Sequence, residues 1–194
     1  MKKFNAFFTT AFMAAAVMLA SCGEDRQEEV AEQHAEKNTR TRVQWLAEID
    51  SLENIVYTGD FDVDHPAVGE LLRSYLGYTK IFVSDKEHTP EYLYKAAALT
   101  RAVDLPVKAL KLYDQILTDY PDWEKSPETA FMIAFMYDDM NEKDRAREAY
   151  QRVIDKYRGD HWAVQAEERL KSLDLTDEEL IRKFNQQLEA ESAS

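Results

Sequence analysis

A chain of 194 residues with 37 Asp and Glu against 24 Lys and Arg carries a formal net charge of −13. One Cys, five Gly and five Pro exclude a disulfide scaffold, a collagen and a glycine-rich linker, while 45% hydrophobic residues supply a core and exclude wholesale disorder. A pI near 4.8 argues against nucleic acid as the main partner, because phosphate binding relies on clustered Lys and Arg. The same charge is repelled by an anionic membrane surface, so any membrane attachment needs another cause.

The first 22 residues offer one. Lys2 and Lys3 form a short basic region, and Phe4 to Ala20 follows without a charge and mostly apolar. This is a secretory signal pattern, too short to be a comfortable spanning helix. It ends in Leu19-Ala20-Ser21-Cys22-Gly23, which resembles a bacterial lipobox. The resemblance implies cleavage after residue 21 and a diacylglycerol on Cys22, the only Cys in the chain. No second apolar run of spanning length follows, so the expected anchor is lipid alone, and two or three acyl chains suffice where one is marginal. Gly23 is not the Asp of an inner-membrane retention signal. The acidic run Glu24-Asp25 to Glu28-Glu29 is similar to the export signal of Bacteroidota lipoproteins, and it also reads as a solvated tether over 22–38. The outer membrane is the expected location, with the periplasmic face and the cell surface both open.

Residues 39–59 read as a long N-terminal helix. Val43, Leu46, Ile49, Leu52 or Glu53, and Val56 fall at helical spacing, with Trp45 adjoining the stripe. The apolar repeat is too short for a coiled coil, so packing against the first downstream hairpin is the better reading. Gly59 to Pro66 is a turn-rich break whose alternating Asp residues lack the Gly and closing Glu of a calcium loop. Asp64 or His65 is placed to cap the next helix, with Pro66 at its first position.

Residues 90 to 158 contain an internal repeat. A shift of 37 carries Pro90-Glu91 onto Pro127-Glu128, Ala97 onto Ala134, Ala109 onto Ala146, Tyr113 onto Tyr150 and Tyr120 onto Tyr157. Each unit opens on Thr-Pro-Glu or Ser-Pro-Glu, a hydroxyl N-cap followed by Pro, and breaks midway at Asp104-Leu105-Pro106 or Asn141-Glu142-Lys143-Asp144. Each is therefore a helix–turn–helix. The alanines belong where paired helices cross, and the stripes Ala109, Tyr113, Ile116, Tyr120 and Ala146, Tyr150, Val153, Tyr157 must be covered by stacking units.

This pattern resembles the tetratricopeptide repeat. With Pro90 as its first position, Ala97, Ala109, Tyr113 and Pro121 occupy the small, small, aromatic and Pro positions. The second unit has Ala134, Ala146 and Tyr150 but Arg158 for the Pro, and neither unit has the usual Trp at position four. Ala67 to Phe82 is similar to the second helix of a degenerate earlier unit. Trp162, Ala163, Ala166, Leu170 and Leu173 are similar to a following first helix. Thr176 to Glu179 is a capping box that starts a last helix carrying Leu180, Ile181, Phe184 and Leu188. The expected fold is all-α: a solenoid of about three repeats over 60–188, a long N-terminal helix, a C-terminal capping helix, and a tail at 189–194. The arrangement resembles tetratricopeptide lipoproteins of Bacteroidota. More distantly it is similar to the outer-membrane β-barrel assembly lipoprotein and the Tol–Pal-associated division coordinator, both adaptors that bind other proteins.

Enzyme signatures are weak. His34, His65, His88 and His161 are scattered, and neither a phosphate loop nor a nucleophile elbow is present. The acid pairs Asp62/Asp64, Asp138/Asp139 and Glu178/Glu179 read as caps or solvated faces. No cofactor, metal or nucleic acid is expected. The reading is a non-enzymatic adaptor of the bacterial envelope that binds a protein or peptide segment. Its alternative is an envelope enzyme or ligand carrier whose site forms only in the folded groove. The family resemblance implies that Glu91, Tyr94, Ala98, Arg101 and Glu128, Phe131, Phe135, Asp138 face the inner surface. Of these, Tyr94, Arg101, Phe131, Phe135 and Asp138 are the expected partner-binding residues, by the weight of aromatic anchors and Arg in binding hot spots.

Overall fold

The computed structural model describes residues 40–58 and 60–192. The signal segment, Cys22 and the acidic tether lie outside the described residues. The chain divides after Ala47 into two compact units, and the packing described below belongs to the second, from Glu48 onward. The described residues form eight helices and no strand: α1 Arg42–Tyr57, α2 Pro66–Ile81, α3 His88–Ala102, α4 Pro106–Asp119, α5 Ser126–Asp139, α6 Lys143–Lys156, α7 His161–Ser172 and α8 Asp177–Ser192.

The architecture is an all-α repeat solenoid. α3 pairs with α4 and α5 with α6, each pair a hairpin, while α2 packs on α3, α4 on α5 and α6 on α7. Skipping one helix, α5 also touches α7. Two apolar clusters follow this order. Leu93, Ala97, Ala109, Tyr113, Ile116 and Met136 form the first; Phe131, Ala134, Ala146, Ala149, Tyr150, Val153, Ala166 and Leu173 form the second. The four crossing alanines are fully buried, because a methyl group lets paired backbones approach to the short end of the usual 8–10 Å range. Met136 of the second hairpin belongs to the first cluster, so neither hairpin closes its core alone. Each fully buried Tyr, Ile or Val contributes about 1.5–3 kcal/mol of hydrophobic stabilisation before ordering costs.

Helix starts and stops follow local chemistry with one correction. His65 caps α2, its Nδ1 accepting the Ala67 N–H at 3.1 Å. Asp160 caps α7 by accepting the Trp162 N–H at 2.8 Å. The capping box of α8 is present: the Thr176 N–H donates to Glu179 Oε2 at 2.9 Å, and the Glu179 N–H to Thr176 Oγ1 at 3.3 Å. Thr89 and Ser126, however, are not N-caps. Both are buried, and their hydroxyls donate backward to the Phe82 and Tyr120 carbonyls at 2.7 and 3.2 Å. Each thereby gives the C-cap carbonyl of the preceding helix a second hydrogen bond and ties two units together.

The flanking helices also differ from expectation in detail. In α1 the buried residues are Trp45, Ile49 and Val56, whereas Val43 is 74% exposed. The buried face is therefore rotated from Val43 toward Trp45. Asp62 spends its carboxylate on the turn, accepting the Asp64 N–H at 3.0 Å. At the other end α8 runs on to Ser192, beyond 188, and Ile181, Phe184 and Leu188 on it are each about half exposed or more. No helix among the described residues is long and apolar enough to cross a membrane.

Candidate protein-binding groove

The first helices of the two complete units, α3 and α5, carry the expected binding residues, and of these Tyr94 joins a ladder of side chains between units. The Tyr94 hydroxyl donates to Glu128 Oε1 at 2.7 Å, and Lys125 Nζ donates to Glu91 Oε2 at 2.7 Å. Both contacts cross the same interface between successive units, with the donor reversed: Tyr94 donates out of the first unit and Lys125 donates into it. The chain of charge continues toward α1. Lys95 Nζ lies 3.9 Å from Glu91 and donates to Glu53 Oε1 at 2.8 Å; the same oxygen accepts the Tyr75 hydroxyl at 2.6 Å. These ion pairs are partly exposed, so each adds little stability, but alternating signs along the ladder fix the register of one helix on the next.

Tyr94 is half buried. Its ring meets Tyr113 edge-on at 5.4 Å and Trp123 at 5.9 Å, with Lys125 Nζ 5.8 Å above it. Burial first, and then the hydrogen bond to Glu128, push its phenol well above the ordinary range, which keeps it a donor. Phe131 is only 7% exposed, with its ring 5.0 Å from Trp162 and 5.6 Å from Tyr150. That side chain packs repeat against repeat and leaves little surface for a partner. Phe135 is half buried under the Arg169 guanidinium, which sits 5.3 Å from the ring centroid. The accessible part of the predicted set is thus Arg101, Asp138 and the edges of Tyr94 and Phe135.

Arg101 and Asp138 occupy the same repeat position, and the difference between them has a structural consequence. In the second unit the Tyr150 hydroxyl points at Asp138 Oδ2 at 3.4 Å. In the first unit Tyr113 stands in place of Tyr150, and Arg101, a donor only, stands in place of the acceptor. The Tyr113 hydroxyl is buried with no hydrogen-bond partner among the described residues. Burial pushes that phenol up to about 12, against the pull of the nearby Arg101 charge.

Sequence reasoning misses Lys125, Lys95 and Glu53. Their partners across the unit boundaries sit 34 and 42 residues away, beyond the reach of any local pattern. On the turn between α2 and α3, Asp85, Glu87 and His88 bring ligand-type atoms within 4.8 Å of one another. Asp85 Oδ1 there accepts the N–H groups of Glu87 and His88, both at 3.1 Å, and the Tyr78 hydroxyl donates to Oδ2, so the cluster is accounted for as a turn and cap.

No curated protein matches the chain. Residues 128–159, from the first turn of α5 through α6 to the turn before α7, match the family model described as the tetratricopeptide repeat. Such repeats generally mediate protein–protein interaction. Within the all-α repeat solenoid, α5 and α6 are thus similar to a tetratricopeptide repeat, an arrangement consistent with binding other proteins.

Proposed function

We propose that this protein is a non-enzymatic adaptor of the bacterial cell envelope, anchored through a lipid on Cys22 and holding a partner segment against the first-helix face of α3 and α5. The observation that supports the partner site is the exposed Arg101 above the unpartnered Tyr113 hydroxyl. The guanidinium carries donors with no ion-pair partner among the described residues, and the buried Tyr113 ring packs edge-on against Tyr94. An approaching main-chain carbonyl or side-chain oxygen accepts from Arg101, while Tyr94 and Phe135 supply apolar edges. Asp138, one repeat on, offers the opposite charge and so sets a direction along the groove. The anchor reading is supported by the lipobox and by the excess of acid, which leaves lipid as the means of attachment.

The test is Arg101→Asp. Asp restores the arrangement of the second unit by giving Tyr113 an acceptor, so the melting temperature should be no lower than the parent's. Crosslinked partner recovered from detergent-solubilised envelopes should fall at least tenfold. Undiminished recovery with an intact fold places the binding surface elsewhere.

A further inference from the structure

Three turns in this chain close in the same way. After α2, α4 and α6 the C-cap residues are Phe82, Tyr120 and Tyr157, and each N–H returns to the carbonyl four residues back. Each cap carbonyl then accepts the N–H three residues on, from Asp85 at 2.9 Å, Trp123 at 3.0 Å and Asp160 at 2.9 Å. In the first and third turns that closing residue is an Asp whose Oδ1 caps the next helix. In the middle turn it is Trp123, which offers no such acceptor; the N-cap residues of α3 and α5, Glu87 and Lys125, form no side-chain cap bond of their own. A cap contributes about 1 kcal/mol, so the fold itself favours Asp at this place. A local rule broken without local compensation is where function is to be sought.

Around Trp123 the chain builds a cleft of about 410 Å³ between two successive turns, lined by Lys86 and Glu87 on one side and by residues 119–124 on the other. The Tyr120 hydroxyl holds the turns together, donating to the Val83 carbonyl at 2.6 Å. Tyr120, Pro121 and Trp123 give it an apolar wall. Among the lining residues, Glu87, Asp119, Asp122 and Glu124 stand against the ammonium of Lys86, with that of Lys125 nearby over the Trp123 ring. Among the described residues Asp119, Asp122 and Glu124 form no ion pair. The repeat does not require this charge: 37 residues on, Asp119, Pro121, Asp122 and Glu124 become Lys156, Arg158, Gly159 and His161. Lys125 Nζ already lies 5.6 Å from the Trp123 ring centroid, so this indole accepts cations.

We propose that this cleft is a second docking site that takes an Arg or Lys side chain of a partner protein segment. The side chain's aliphatic stem lies along Tyr120, Pro121 and Trp123 while its charge enters the carboxylate rim. The volume suits one or two such side chains. Charge complementarity selects this occupant over an acidic or neutral one, and the acidic field of the whole chain speeds its approach. Only the choice of a protein segment as the source rests on the adaptor reading above.

The experiment uses the full chain in detergent with two probes, a capped tetrapeptide carrying two arginines and its counterpart carrying two glutamates. The readout is the indole N–H resonance of Trp123, assigned by its loss in Trp123→Phe. The arginine peptide should shift this resonance saturably, and the glutamate peptide should leave it in place. Asp122→Asn with Glu124→Gln should weaken the titration at least tenfold. Glu167→Gln with Glu178→Gln removes the same charge elsewhere and should change it less than twofold. An absent or non-saturating shift, an equal response to both peptides, or equal weakening by the two double variants overturns the proposal. Arg101→Asp bears on the groove alone and should leave this titration unchanged, so the failure of either reading is seen separately.

Discussion

Asp104 and Asn141 lie one repeat apart and adopt the same left-handed backbone conformation, with φ of 58° and 59°. They end α3 and α5 and turn the chain into α4 and α6. L-residues avoid this region because Cβ crowds the neighbouring carbonyl, and Asp and Asn tolerate it best. The intra-hairpin turn therefore has a stereochemical requirement that both repeats meet with a different residue.

Asn141→Gly should be close to neutral, since Gly adopts positive φ without strain but loses more entropy on folding. Asn141→Val should cost about 1–2 kcal/mol, as a β-branched side chain is forced into the left-handed region. Urea unfolding followed by circular dichroism checks both. Equal midpoints for the two variants would mean that the turn relaxes into another conformation.

Ala109 and Ala146 sit fully buried at the crossings of their hairpins. Ala109→Leu or Ala146→Leu should force the paired helices apart and cost about 1–3 kcal/mol from overpacking. Ala109→Ser should cost less, because its volume change is smaller. Thermal melts rank the three, and a Leu variant that melts with the parent would show that the crossing has room to spare.

The buried phenols give this protein an alkaline limit. Tyr75, Tyr94, Tyr113 and Tyr150 are all raised above the ordinary value of 10, with burial the largest cause in each. In the unfolded chain they ionise near 10; in the folded chain they keep their protons. Above that pH the unfolded state binds fewer protons, so stability falls as pH rises through 10 and toward 12, and these groups leave it level below. Tyr113→Phe should make the decline shallower. At neutral pH it should raise stability by about 1 kcal/mol, because it removes a buried hydroxyl that has no partner. Urea midpoints at pH 8, 10 and 11 test the sign and the variant together.

Under the proposed anchoring, Cys22→Ser should leave an unlipidated precursor in the inner membrane or a misprocessed soluble form. Fractionation of the envelope reads this directly. A Cys22→Ser protein that still sediments wholly with the outer membrane would require an anchor other than lipid.

Most of the helical framework was legible in the chain itself. A shift of 37 residues superposes Ala97 on Ala134 and Tyr113 on Tyr150, and a stripe of four, three and four residues permits only a helix with one buried face. His65 and the Thr176–Glu179 box were equally legible, because a cap acts over two or three residues and needs no distant partner. Tertiary structure decided what depends on neighbouring units. Thr89 and Ser126 look like caps locally, yet the preceding helix end claims their hydroxyls. Phe131 carries the same pattern position as Tyr94, but Trp162 closes over it while Tyr94 reaches out to Glu128. Helical periodicity says which face of a helix is apolar. Which part of that face stays open is set by side chains a whole repeat away, and that distance lies beyond any local rule of sequence.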